Sequence, residues 1–191
     1  MKISVDNLKK SFGDRCIWSG IDLTFTSDEI VTIAGKSGQG KTTFLRCLNG
    51  LETYDAGTVA FDGEVMPVGT TDAKKIGMVF QGYYLFPKMT VWENILLAPL
   101  YHGIDRKEAE ERAERLMKEL EIYEEKDKYP KNLSGGQQQR VAIVRACMLE
   151  PEILCFDEPT SALDSETIDK LAQTMGRLKE KGMGMIVVTH D

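Results

Sequence analysis

Apolar and polar positions along the first third of the chain alternate in short runs broken by turn residues. Ile21, Leu23 and Phe25 alternate with Asp22 and Thr24, the period of a strand with one face buried. The pattern predicts strands over Ile3 to Leu8, Ile17 to Thr26, Ile30 to Ala34 and Thr58 to Phe61, the last bounded by Ala56-Gly57 and Asp62-Gly63. Ile30-Val31-Thr32-Ile33-Ala34 is nearly all apolar, which predicts a strand covered on both faces. It runs straight into a glycine-rich segment and then a short helix, Lys41 to Leu48.

From Asp105 to Lys128 the period changes. Ala109, Ala113, Leu116, Met117 and Leu120 recur at spacings of three and four, the apolar face of an amphipathic helix. Its charges are mixed in sign, which reads as a solvated face and not a nucleic-acid or membrane surface. After Tyr129-Pro130 come a capped helix from Ser134, a strand from Ile153 to Phe156, a helix from Ser165 to Lys181 and a strand from Met185 to Thr189. Helix and strand in alternation require crossover connections, hence a parallel sheet. The chain therefore reads as one α/β domain with an inserted helical lobe.

Composition narrows the chemistry. The 191 residues are 42% hydrophobic and 28% charged, the balance of a single globular domain. With 24 basic against 30 acidic residues, net −6, the chain has no general attraction for nucleic acid or anionic lipid, so any phosphate site must be local. Cys16, Cys47, Cys147 and Cys155 are scattered without a CxxC pair, which reads as buried thiols in a reducing compartment. His102 and His190 are too few for a histidine-rich metal site. The start, Met1-Lys2-Ile3-Ser4-Val5-Asp6, reaches charge too early for a secretory signal, so the expected location is cytosolic. The apolar run Ile95 to Tyr101 contains a proline and falls far below the roughly 18 residues a membrane span needs. Any membrane role must come through a partner.

Gly35-Lys36-Ser37-Gly38-Gln39-Gly40-Lys41-Thr42 fits GxxxxGK[ST] between an apolar strand and a helix, the context that gives the motif its meaning. Glycines let the backbone turn tightly and aim N–H groups at phosphate oxygens, with the helix N-terminus adding positive potential. The spacing GxxGxG does not fit a dinucleotide fingerprint. A nucleoside triphosphate fits, with Lys41 on the β- and γ-phosphates and the Thr42 hydroxyl on Mg²⁺. Ile153-Leu154-Cys155-Phe156 runs into Asp157-Glu158-Pro159, two carboxylates at the carboxyl end of a buried strand. Asp157 is the candidate Mg²⁺ ligand and Glu158 the candidate base for the attacking water.

Leu133-Ser134-Gly135-Gly136-Gln137 reads locally as a capping box, Ser134 at the N-cap and Gln137 three residues on. Followed by Gln138-Gln139-Arg140-Val141-Ala142-Ile143 and then by ILCFDEPTSALD, however, it closely resembles the nucleotide-binding subunits of ABC transporters, over essentially the whole chain. The resemblance implies an α/β P-loop cassette with a RecA-like parallel core, an N-terminal antiparallel β subdomain and a helical subdomain over about residues 88–150. It implies that ATP and Mg²⁺ are held by residues 35–43, Thr43 included, and that Ser134 and Gly136 of one subunit close over ATP bound by the other in a homodimer or pseudo-dimer. Gln81 matches the Q-loop glutamine that meets Mg²⁺ or the attacking water, Ser161-Ala162-Leu163-Asp164 the D-loop, and His190 the switch histidine on the γ-phosphate. Phe12 matches the aromatic that stacks on adenine.

Met78 to Val91 and the YPKNLSGGQQQRVAI block look most like ATPases of polar amino acid importers. That branch implies separate membrane permease subunits, an extracytoplasmic solute-binding protein reached indirectly, no nucleic acid, and a peripheral position on the inner face of the cell membrane. Tyr83, Tyr84 and Phe86 belong either to a groove for a permease coupling helix or to the core. Gln39 stands where the family commonly has a small residue, and Ser165 where proline is frequent. Members normally continue for several tens of residues beyond the switch histidine, so the chain is expected to lack their C-terminal segment and His190 to make a weakened γ-phosphate contact. Two other readings stay open: an ABC ATPase acting on DNA or ribosomes, and a nucleotide-binding module with little turnover.

Overall fold

Two four-stranded sheets organise the described residues, one antiparallel and one parallel. The computed structural model describes residues 1–161 and 163–190; Ala162, which the resemblance places in a D-loop, and Asp191 lie outside the described residues. β1 (Lys2–Phe12), β2 (Arg15–Thr26), β4 (Ala56–Phe61) and β5 (Glu64–Val65) form the antiparallel sheet in the order β2-β1-β4-β5. β3 (Ile30–Ala34), β6 (Ile76–Val79), β7 (Ile153–Asp157) and β8 (Gly184–Thr189) form the parallel sheet in the order β3-β8-β7-β6. Each parallel step needs a crossover. α1 (Lys41–Leu48) follows β3; α2 (Val91–Tyr101), α3 (Arg106–Glu119) and α4 (Gly135–Cys147) lie between β6 and β7; α5 (Ser165–Glu180) joins β7 to β8.

All residues of β7 are buried, and its alternation divides them between two cores. Ile153 and Cys155 pack with Ile3, Val5 and Phe25 of the antiparallel sheet and with Phe44, Leu45 and Leu48 of α1. Leu154 and Phe156 pack with Ala113 and Met117 of α3, Val141 and Val144 of α4, and Leu171 and Leu178 of α5. β7 is thus the double-covered strand. β3, which the apolar run assigned to that position, is an edge strand with Ile30 45% exposed, and among the described residues it pairs with β8 alone. Hydrophobicity marks a strand, whereas its place in the sheet depends on long-range pairing that the local sequence does not encode.

Two further expectations are corrected, and one helix, α2, was not foreseen. The helix read from Asp105 to Lys128 stops at Glu119: Glu121 turns into the left-handed region (φ 56°) and Ile122 N–H closes on the Met117 carbonyl at 2.9 Å. That closure buries Leu120 and Ile122, and a short 3₁₀ turn over Tyr123–Glu125 follows. α2 had no amphipathic signal because its sequence is mostly apolar; Thr90 and Glu93 start it with a reciprocal capping box, and Pro99 is tolerated near its end. Cys16 is exposed, whereas Cys47, Cys147 and Cys155 are buried. Burial pushes the Cys47 thiol up to about 11 and the other two up to about 12, so these three carry no reactive thiolate.

Asn94, fully buried on α2, holds the segment leading into that helix. Its Oδ1 accepts from Phe86 N–H at 2.7 Å, and its Nδ2 donates toward the Phe86, Met89 and Thr90 carbonyls at 3.2, 3.2 and 2.9 Å. Asn94→Ala leaves buried donors and acceptors without partners and is expected to cost about 2–3 kcal/mol of stability, read by urea denaturation. A loss under about 0.5 kcal/mol would show that this segment relaxes freely to water.

Candidate functional site

The loop after β3 turns on glycines whose conformations other residues rarely adopt. Gly38 has φ 80° and Gly40, the N-cap of α1, has φ 86°. A Cβ on Gly40 would lie 2.3 Å from Ile17 Cγ2 and 2.8 Å from Trp18 Nε1, so the loop packs against the antiparallel sheet with no room for a side chain. Lys41 Nζ folds back on the loop, donating to the carbonyls of Gly35 at 2.5 Å and Lys36 at 3.1 Å. The Gln39 side chain lines a neighbouring depression with Trp18 and Phe44, and a Cβ on Gly35 would meet its Oε1 at 2.5 Å.

The alternation of β7 reaches the chemistry at its carboxyl end. Asp157 shares the parity of Ile153 and Cys155, so it faces α1, where its Oδ1 accepts from the Thr42 hydroxyl at 2.7 Å. Burial pushes the Asp157 carboxyl above its ordinary value, against the opposing hydrogen bond from Thr42 and the positive charges of Arg46 and Lys41. Glu158 leaves the strand in the left-handed region (φ 48°), with its N–H anchored on the Val188 carbonyl at 2.9 Å. That turn sends its carboxylate elsewhere: Oε2 lies 2.6 Å from His190 Nδ1, and Oε1 lies 3.8 Å from Lys41 Nζ. The left-handed turn at Glu158 is what brings its carboxylate to the cleft and keeps it off the opposite, helical face of the strand.

A cleft of about 470 Å³ gathers these parts. It is lined by Phe12, Ser37, Gly38, Gly40, Lys41, Thr42, Thr43, Gln81, Glu158 and His190. Gln81 Nε2 donates to Ser161 Oγ at 3.0 Å, and Ser161 Oγ donates to the Glu158 carbonyl at 3.0 Å, so the segment after β6 and the turn after β7, far apart in sequence, are joined at one wall. Arg15 and Ile17, which sequence reasoning missed, also line it. Arg15 pairs across the β1–β2 hairpin with Phe12 and donates to the Gly38 carbonyl at 3.2 Å. The available signal was the tight Phe12-Gly13-Asp14-Arg15 turn, which sets residues 12 and 15 side by side. For a metal ion the relevant donors are the Thr42 hydroxyl and the Asp157 carboxylate, an oxygen set suited to a hard cation that draws its other ligands from water and substrate phosphates. Among the described residues no group of three or more His, Cys, Asp or Glu is placed to hold a metal by itself, so the ion would depend on the bound phosphate.

Ser134 and Gly136 stand apart from this cleft, in a separate depression with Thr167 and Lys170. Ser134 Oγ accepts from Gln137 N–H at 3.3 Å while Gln137 Oε1 accepts from Ser134 N–H at 2.8 Å, the reciprocal cap the sequence predicts. A Cβ on Gly136 would lie 2.8 Å from Thr167 Cγ2, because α4 begins against α5. A third concavity, about 620 Å³, lies between the segment after β6 and α2, with exposed Tyr84, Phe86, Leu97 and Tyr101 along it. Tyr83 instead packs on the helical core, and Arg145 holds this segment by donating to the carbonyls of Tyr83 at 2.7 Å and Tyr84 at 2.8 Å.

Comparison with known proteins agrees with this architecture. The family model described as ABC transporter matches residues 18–161. The arginine transport ATP-binding protein ArtM of Bacillus subtilis is 46% identical over 99% of this chain and 81% of its own length. The glutamine transport ATP-binding protein GlnQ of Escherichia coli is 43% identical, with the same coverage of 99% and 81%. Among solved structures, the dimeric bacterial ABC transporter cassette MJ0796 superposes with a TM-score of 0.86 at 34% identity, covering 99% of this chain and 88% of that one. CbiO1 from Clostridium perfringens, part of the ABC transporter complex cbiONQ, gives 0.87 at 27% identity, covering 99% and 78%. The fold is therefore the α/β P-loop cassette that the sequence implied, and the chain belongs to the ABC transporter family, as an ATP-binding subunit.

Proposed function

We propose that this chain hydrolyses Mg-ATP to drive import of a small solute, a polar amino acid, through separate membrane permease subunits. The observation that carries the reading is the convergence of the phosphate loop, Gln81, Glu158 and His190 on one cleft with Phe12 at its rim. In this reading residues 35–43 bind the triphosphate, Lys41 turning from the loop carbonyls to the phosphates. Thr42 and Asp157 hold Mg²⁺, assisted by Gln81; when bound, the ion neutralises phosphate charge. Glu158 takes the proton of the attacking water, and His190, paired with its Oε2, holds that carboxylate in place and contacts the γ-phosphate. Phe12 stacks on adenine.

Ser134 and Gly136 complete the site of a second copy. Their position outside the cleft of their own chain supports a head-to-tail pair, since the N-terminus of α4 presents a hydroxyl and a positive helix end to phosphate. Residues 88–150 act as the helical subdomain that carries this segment. No helix among the described residues is long and apolar enough to cross a membrane; attachment to the inner face goes through the aromatic groove beside α2, where a permease element docks. The amino-acid assignment draws on the names of the relatives, which are ATP-binding proteins of arginine and glutamine transport.

Glu158→Gln keeps the hydrogen-bonding shape but removes the base, so turnover is expected to fall about 100-fold or more with Mg-ATP binding retained. Near-normal hydrolysis would remove Glu158 from that role. Asp157 makes a separate prediction. Because burial raises its folded pKa, the stability it contributes is fully present below the ordinary aspartate range and is lost as pH rises through the raised value. At neutral pH without metal, Asp157→Asn is therefore expected to raise Tm by about 2 °C or more while weakening Mg-ATP binding; a lower Tm would show that the charge is already compensated. Leu97→Asp, on the exposed wall of the groove, is expected to leave Tm and ATP binding unchanged and abolish co-purification with the permease. Retained assembly would place the docking surface elsewhere.

A further inference from the structure

Lys10 is 4% exposed, an unusual position for a lysine, and nothing in the hydrolysis chemistry uses it. Its Nζ donates to Glu52 Oε1 at 2.9 Å and sits 4.3 Å from the centroid of the Phe12 ring. Lys10 and Phe12 are two apart on β1, hence on one face of the strand. The ammonium covers one side of the ring, while Phe12 as a whole remains 48% exposed at the cleft. Glu52 comes just after α1, the helix whose first turn carries Lys41 and Thr42; its N–H bonds to the Arg46 carbonyl, and the Thr53 N–H donates to its Oε1 at 3.1 Å. Asp55 secures the same stretch of β1, accepting from Ser11 N–H at 2.6 Å and donating its own N–H to the Lys9 carbonyl at 2.8 Å.

We infer that the Glu52–Lys10 pair is a positioning device that fixes the Phe12 ring as the platform for the base and spaces it from the phosphate loop through α1. A phenyl ring at the end of a hairpin has no hydrogen bond to hold its orientation. A desolvated cation over one face supplies that restraint and leaves the opposite face for a purine. Lys10 then controls the affinity of the nucleoside end of ATP and leaves the triphosphate end unaffected. The inference rests on the reading of Phe12 as the adenine platform, so its test must separate the two.

Calorimetric titration of the full chain with Mg-ATP and with Mg-tripolyphosphate, which has phosphates but no base, makes that separation. Lys10→Met combined with Glu52→Gln removes both charges without stranding either, and is expected to weaken Mg-ATP binding about tenfold while tripolyphosphate binding stays within twofold. Lys10→Arg, which keeps a cation over the ring, is expected to restore Mg-ATP affinity to within about threefold of the parent. Phe12→Ala should reproduce the base-selective loss. If Phe12→Ala weakens Mg-ATP but the double variant does not, Lys10 is a structural staple and the inference fails while the platform stands. If Phe12→Ala leaves Mg-ATP affinity unchanged, the platform and the inference fail together. Equal loss of both ligands in the double variant also overturns it, because the damage would then have reached the phosphate loop.

Discussion

The site depends on the burial of β7 between two cores. A parallel strand has no turn to fix its register; what fixes it is that sliding by one residue would exchange the side chains that face each core. Ile153 and Cys155 lie on the α1 side, Leu154 and Phe156 on the helical side. Each such large apolar side chain contributes about 1.5–3 kcal/mol on burial, so a slip would be opposed by much of the domain's net stability of about 5–15 kcal/mol. The register that satisfies both cores also aims Asp157 at Thr42. The placement of Asp157 against Thr42 is therefore inherited from packing, without a separate device to hold it.

Where the strand ends, packing gives way to strain. A non-glycine residue in the left-handed region costs of order 1–3 kcal/mol, and Glu158 bears it with its N–H tied to Val188 and its carboxylate paired to His190. Without that turn, successive side chains on an extended strand would point to opposite faces, and Glu158 would enter the helical core as a buried charge. Thr42 and Lys41 are placed by a similar compromise, since α1 can start close to the sheet only because Gly40 lacks a side chain. Both acids and the phosphate loop thus converge where regular structure ends, as is common for ligand sites in open α/β sheets.

Most of this was legible in the sequence because it is local. The loop 35–42, the Ser134–Gln137 cap and the acids at 157 and 158 are short-range patterns whose physics is complete within a few residues. What escaped is long-range or two-sided. Ile30 to Ala34 is apolar enough for an interior strand, yet among the described residues its only neighbour is β8, which lies far away in sequence. α2 shows no stripe because apolar residues surround it, and the end of α3 depends on where Leu120 and Ile122 find burial. Arg15 joined the cleft through hairpin register, and Lys10 became notable only once its burial was known.

The two ends of α1 connect these observations. Its N-terminus carries Lys41 and Thr42, and the turn beyond its C-terminus carries Glu52, which grips Lys10 beneath Phe12. A rigid helix between the phosphate loop and the proposed base platform sets the distance between them before any ligand arrives, which lowers the ordering cost of binding an extended molecule such as ATP. The signature segment is fixed differently: its cap is satisfied within its own chain, and Gly136 is pressed against α5. Ser134 can therefore reach a nucleotide only as part of a rigid lobe, and on the proposed reading that nucleotide belongs to another copy. A contact of this kind responds to the movement of whole subunits and not to side-chain rearrangement, which is the property needed to couple hydrolysis to a permease that, on the proposed reading, docks beside α2.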